Sequence, residues 1–214
     1  MSVFTDGKTN GPGICWPDGK RIAVMVTFDF DAEFLRISRA ESKGTSIGFT
    51  DFSRGQYGPH TGLLRCLNML DAHQVKSTFF VPGAVAEKYT EQVRMIHERG
   101  HELACHGYRH ESVRGISREE EEAILDKSEA ALMAVTGKRP AGHRGPESII
   151  HPFTHELLAE RGYLYSSSMK DCDYAYLWEQ DGKELPLVEL PNDITMDDFT
   201  YYYFTFSDPA VRAM

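Results

Sequence analysis

No apolar run in these 214 residues approaches the ~20 needed to span a bilayer. The longest, such as IAVMVTF, have the length of a buried strand. The first twenty residues, MSVFTDGKTNGPGICWPDGK, lack the apolar stretch of a secretory signal, which points to a cytoplasmic protein. Cysteine is scarce. Cys15, Cys66, Cys105 and Cys172 are scattered without CxxC spacing, so they read as buried thiols and exclude a disulfide framework or a cysteine zinc site. Positive charge is in deficit, 23 Lys and Arg against 32 Asp and Glu. The resulting formal charge of −9 argues against a nucleic-acid surface or a basic membrane patch. Internal repeats and low-complexity tracts are missing as well. What remains, 41% hydrophobic and 26% charged, is the composition of one globular domain over residues 1–214.

Strand and helix patterns alternate along the chain. RIAVMVTF (21–28) reads as a buried strand, and the polar, Gly-rich stretch 38–62 reads as a long loop. Helical spacing over 63–73 precedes a strand over 75–81, a helix over 84–100 that stops at Gly100, and a short strand over 101–105. Residues 117–137 open with a capping box, Ser117 with Glu120, and close on Gly137. Ile124, Ser128, Ala131, Leu132 and Val135 share one face of that helix. The acidic first turn SREEEE complements the helix dipole and needs no calcium. A strand and turn (139–145), a helix (152–162) and strands at 163–168 and 185–191 follow. Period-2 aromatics in TYYYFTF (200–206) fit a half-buried strand better than a sugar platform. Alternation of this kind predicts parallel β-α units, hence an α/β sheet or barrel with catalytic groups at the carboxyl ends of the strands.

Three clusters fall at those ends. VTFDFDAEF places Asp29, Asp31 and Glu33 at alternate positions, where like charges would repel. HGYRH places His106 and His110 four apart, a spacing that puts two imidazoles on one side of a helical turn. Two histidines and one carboxylate make a three-ligand site with room for water, and a divalent ion there would neutralise the acidic cluster. HRGPE contributes Arg144. Each piece alone has an ordinary structural reading; their convergence at strand ends favours the metal. Glu33 is left open between support for the ion, a substrate contact and a solvated group. Cys105, next to His106, points to the opposite face and reads as core.

Together these motifs resemble the polysaccharide deacetylase family, over about residues 20–205. TFDFDAE resembles the family's first motif, in the spaced form of a branch that includes intracellular peptidoglycan deacetylase-like proteins and cyclic imide hydrolases. HGYRH resembles the second motif and HRGPE the third. YSSSMKDCDYAY and LVELPNDITMDD resemble further segments of that branch. The resemblance implies a distorted TIM-like barrel of fewer than eight repeats, incomplete at its C-terminus. It implies Asp31, His106 and His110 as metal ligands, Asp29 as catalytic base and Arg144 as its partner. The cofactor is then a divalent ion, zinc foremost, although iron, cobalt and nickel suit the same donors.

The family's C-terminal histidine, which protonates the leaving amine, has no counterpart before FTFSDPAVRAM. His60 and His143 are the substitutes to examine, and His151-Pro152 opens a helix instead. The expected activity is hydrolysis of non-peptide amide bonds, first in N-acetylated sugar or peptidoglycan-type substrates. The alternative is a small cyclic imide or allantoin-like amide, in a cavity that a homo-oligomer would help close. A catalytically impaired, metal-containing binding protein is the reading from another class.

Overall fold

The computed structural model describes residues 17–200. Seven strands form one sheet in the order β1 (Thr27–Asp29), β2 (Thr78–Val81), β3 (Glu102–Cys105), β4 (Gly142–His143), β5 (Tyr165–Ser166), β7 (Lys183–Glu189) and β6 (Tyr176–Gln180). All neighbours run parallel except β6 with β7. The first four strands each pair with their successor in the chain and β5 pairs with β7, which is the order of a β/α barrel laid open between β1 and β6. Among the described residues the fold is therefore α/β and barrel-like, with seven strands, as expected.

Helices fill the connections: α1 (Phe34–Glu41), α2 (Phe49–Tyr57), α3 (Leu63–Ala72), α4 (Gly83–Lys88), α5 (Thr90–Glu98), α6 (Arg118–Thr136), α7 (Pro152–Glu160) and the single turn α8 (Asp198–Thr200). Strand alternation sorts the side chains. Phe79, Val81, Leu103 and Cys105 face the helices and pack with Leu67, Ile96 and Leu132. Their neighbours face the other way, as Phe80 does beneath the Arg144 guanidinium, 3.9 Å from its ring centroid.

The capping box of α6 is present: Ser117 Oγ accepts from the Glu120 amide (3.2 Å) and the Ser117 amide donates to Glu120 Oε2 (2.7 Å). Gly137 ends the helix at φ 70°. Ser128, Ala131 and Leu132 are buried as expected, joined by Leu125, while Ile124 is only half-buried. Cys105 is in the core, with its thiol pushed up to about 11 by burial.

Several expectations are corrected. Only Thr27 and Phe28 of the 21–28 run are strand, in a β1 that continues to Asp29, and Ile22 and Val24, which precede it, are 74% and 80% exposed. The 38–62 stretch is mostly helical, carrying the end of α1, all of α2 and a π-helical turn, Gly58–Gly62, that runs into α3. Its polar composition reflects helices that bury little, not the absence of structure: Gly55 and Pro59 are the buried residues of α2 and the turn. The 84–100 helix breaks at Tyr89 into α4 and α5. Cys66 and Cys172 are half-buried free thiols rather than buried ones. Cys15 and residues 201–206 of the aromatic run lie outside the described residues.

Candidate active site

The strand register builds the site. Cys105 pairs with His143, His143 with Ser166, and Ser166 with Glu189, so the carboxyl ends of four parallel strands form one row. The next residues, His106, Arg144 and Ser167, form the row above. Successive residues alternate faces, so they point to the side opposite Cys105 and the core. Asp29 closes β1 beside them.

HGYRH is not helical, which corrects the expected reason for its spacing. Gly107 and His110 both take left-handed φ, 69° and 60°, a conformation that costs a non-glycine residue about 1–3 kcal/mol. The loop is held by its surroundings. Glu111 Oε2 accepts from the Tyr108 and Arg109 amides (3.1 and 2.6 Å). The Gly83 and Ala84 amides at the start of α4 donate to the Gly107 and Tyr108 carbonyls (3.0 and 2.8 Å). This wrapping brings the two imidazoles to 5.1 Å between ring centroids.

Asp31 completes a trio with His106 and His110 whose donor atoms all lie within 4.8 Å of one another. Each histidine Nε2 stands 3.5 Å from an Asp31 oxygen. His106 Nδ1 donates to the Arg144 carbonyl (2.7 Å), which leaves Nε2 as the lone-pair nitrogen facing inward. That Nε2 and Asp31 Oδ1 are buried without any hydrogen-bond partner. Two orphaned acceptors aimed at one point fit a cation, since unpaired buried polar atoms are otherwise costly. Burial pushes the Asp31 carboxyl up to about 7, with Asp29 adding to the rise and His106 opposing it. Burial likewise pushes His110 down to about 3, keeping it neutral and able to ligate.

Asp29 is set differently. Its Oδ1 accepts from Arg144 Nη1 at 2.7 Å, and its Oδ2 is 3.8 Å from His106 Nε2. Burial pulls its carboxyl upward, but attraction to His106 and to the Arg144 guanidinium, with the hydrogen bond from Arg144, outweighs that and holds it below the usual range. Arg144 is itself fixed on all sides. Nε donates to the Ser167 carbonyl (3.1 Å), Nη2 to Ser167 Oγ (3.0 Å) and Nη1 also to Thr27 Oγ1 (3.2 Å).

Glu33 does not join the acidic cluster. Ala32 takes φ 51°, breaking the strand alternation, and Glu33 turns away to bond Lys88 and the Tyr89 hydroxyl (2.9 Å) with no exposed surface. His60 is exposed near Tyr89, and His143 is buried against Tyr163 and pushed down to about 3 by burial. Neither lines the cleft. That cleft, about 600 Å³, is lined by Asp29, Asp31, His110 and Arg144, together with Arg39, Glu147 and the 196–199 segment. Arg39 and Glu147, joined at 2.6 Å, were not singled out in the sequence. Nothing local marks Arg39, whereas Glu147 is part of HRGPE and has φ 55°.

The sequence profile of polysaccharide deacetylases matches residues 53–166, a span holding His106, His110 and Arg144. The peptidoglycan deacetylase of Helicobacter pylori is 30% identical over 212 residues, 89% of this chain and 71% of that protein. The chain belongs to the polysaccharide deacetylase family. A peptidoglycan deacetylase-like protein of Gibberella zeae is 31% identical over 172 residues, 79% of this chain but 50% of its own length. Among solved structures, a Mycobacterium smegmatis protein described as a polysaccharide deacetylase superposes with TM-score 0.78 at 40% identity. The match covers 87% of this chain and 64% of that one. An allantoinase shares the fold, with TM-score 0.73 at 21% identity over 96% of this chain and 77% of that one. The chain thus spans half to about seven tenths of these family relatives. Deacetylases of this family are hydrolases that act on acetylated sugars. Among the described residues no helix is long and apolar enough to cross a membrane.

Proposed function

We propose that the domain is a metal-dependent N-deacetylase of N-acetylated sugar or peptidoglycan-type substrates, with residues 1–214 forming one catalytic unit. The observation that carries the proposal is the Asp29–Arg144 pair standing directly beside the Asp31, His106 and His110 trio. Asp31, His106 and His110 would hold one divalent ion, zinc being well suited to two imidazoles and a carboxylate. When bound, such an ion supplies a Lewis acid that polarises an amide carbonyl and acidifies water next to it.

The chain's own residues supply the rest. Arg144 keeps Asp29 ionised and fixes the direction of its free oxygen. Asp29 accepts a proton from the attacking water, whose oxygen bonds to the acyl carbon as the carbon–nitrogen bond breaks. The products are acetate and an amine, which takes up the proton that water released. His106 Nδ1, tied to the Arg144 carbonyl, joins the ligand set to the backbone of the residue that partners the base.

Acetate release from N-acetylglucosamine oligomers and from peptidoglycan, by zinc-loaded protein, tests the proposal. Turnover is expected, and Asp29→Asn should lower it by about 10²–10⁴-fold while metal content stays the same. Ring opening of cyclic imides with no acetate release would move the assignment to a small-amide hydrolase. Metal binding with neither reaction would identify a binding protein.

A further inference from the structure

We infer that Glu189 is a positioning residue for this reaction, acting through the Ser167–Met169 turn to hold Arg144 against Asp29; the inference rests on the proposed hydrolase function. Glu189 ends β7 and has no exposed surface. A carboxylate at such depth is expensive unless fully hydrogen-bonded. Here it is. Oε1 accepts from the Ser168 and Met169 amides (2.7 and 2.9 Å), and Oε2 meets His155 Nε2 at 2.9 Å. The His155 ring is in turn stacked on Trp178 of β6, with centroids 3.7 Å apart and planes within 7°.

What Glu189 holds is the clamp on the arginine. The Ser167 amide still belongs to the sheet, donating to the His143 carbonyl at 2.9 Å. Beyond it the chain leaves the sheet, and the Ser168 and Met169 amides need an acceptor, which Glu189 provides. With that turn fixed, both oxygens of Ser167 meet the Arg144 guanidinium, and Ser168 Oγ accepts from the Gly145 amide at 3.0 Å. Arg144 is therefore gripped through its side chain and through the peptide that follows it. Its remaining Nη1 hydrogens go to Asp29 and Thr27. The two segments that family resemblance singled out, YSSSMKDCDYAY and LVELPNDITMDD, thus meet at the turn that grips the guanidinium. Loss of the Glu189 acceptor would release the turn, and Arg144 would lose its aim while the metal ligands keep theirs.

The test compares side-chain ¹⁵N NMR of Arg144 Nε, assigned by its disappearance in Arg144→Lys, between wild-type protein and Glu189→Ala, which removes the acceptor of the Ser168 and Met169 amides. We expect the Nε resonance to shift and its hydrogen exchange to accelerate at least ~10-fold, as a loosened contact requires, with metal content unchanged. In parallel, kcat should fall about 10–100-fold, the usual cost of losing a supporting hydrogen bond, with KM nearly constant. Glu189→Asp, which keeps the charge but retracts it, serves if the alanine variant fails to fold, and the same loosening is expected. An unaltered Arg144 Nε signal beside a lowered melting temperature would overturn the inference and leave Glu189 a structural residue. The NMR result stands whether or not wild-type protein releases acetate, so failure of the positioning role and failure of the deacetylase reading are separable.

Discussion

Asp29 ends β1 and Asp31 follows it two residues later, yet their surroundings differ sharply. Asp29 has an arginine at 2.7 Å and is held ionised; Asp31 has two imidazoles and an orphaned oxygen, an arrangement that waits for a cation. Both were legible in the sequence because alternate acids beside a histidine pair pose a charge problem that one ion solves. Glu33 was not, since its fate depends on the left-handed turn at Ala32 and on Lys88 and Tyr89, which are 55 and 56 residues away. Glu33→Ala is expected to leave metal content intact and to lower the melting temperature. The substitution strips a buried hydroxyl and an ammonium of their acceptor, typically a cost of about 1–3 kcal/mol. Loss of metal in that variant would instead place Glu33 in the ion's support.

Elements with strong local signals, such as α6 with its cap and Gly137, matched their sequence pattern; elements defined by long-range contact did not. The 38–62 stretch looks like a loop because α2 meets the body through a glycine rather than an apolar stripe. A Cβ on Gly55 would lie 2.3 Å from Glu33 Cα, closer than packing allows. Gly55→Ala is therefore expected to destabilise by at least the ~1–3 kcal/mol typical of overpacking, read as a fall in denaturation midpoint. An unchanged midpoint would mean that α2 does not dock there. The β6–β7 hairpin had a readable signal, Asp181-Gly182 between two strand-forming runs, and both residues take the positive φ (51° and 76°) that such two-residue turns require. It matters because β6 carries Trp178 and β7 carries Glu189. Burial pulls the Glu189 carboxyl up, but hydrogen bonds from His155, Met169 and Ser168 outweigh it and hold the carboxyl below its ordinary 4.5. Such a group stabilises the fold above that value, and the contribution is lost as pH falls through its folded-state pKa. Melting temperature should accordingly drop more steeply below pH 4.5 in wild-type protein than in Glu189→Gln. Parallel curves would show that Glu189 does not titrate with unfolding.

At the scale of the molecule, the function follows from register. Parallel strands end in one row, so residues distant in sequence (106, 144 and 167) emerge at one rim, next to Asp29 from the first strand. Alternation predicts that rim but not the loop that turns His110 back towards Asp31, because its two left-handed residues are stabilised by Glu111 and by the start of α4. The account stands on that convergence capturing a divalent ion. Elemental analysis of purified, zinc-equilibrated protein and of its His106→Ala, His110→Ala and Asp31→Asn variants measures this directly. We predict about one equivalent of divalent metal in the wild-type protein, as a three-ligand site holds, and loss of most of it in every variant. A metal-free wild-type protein, or variants that retain the full equivalent, would contradict the account.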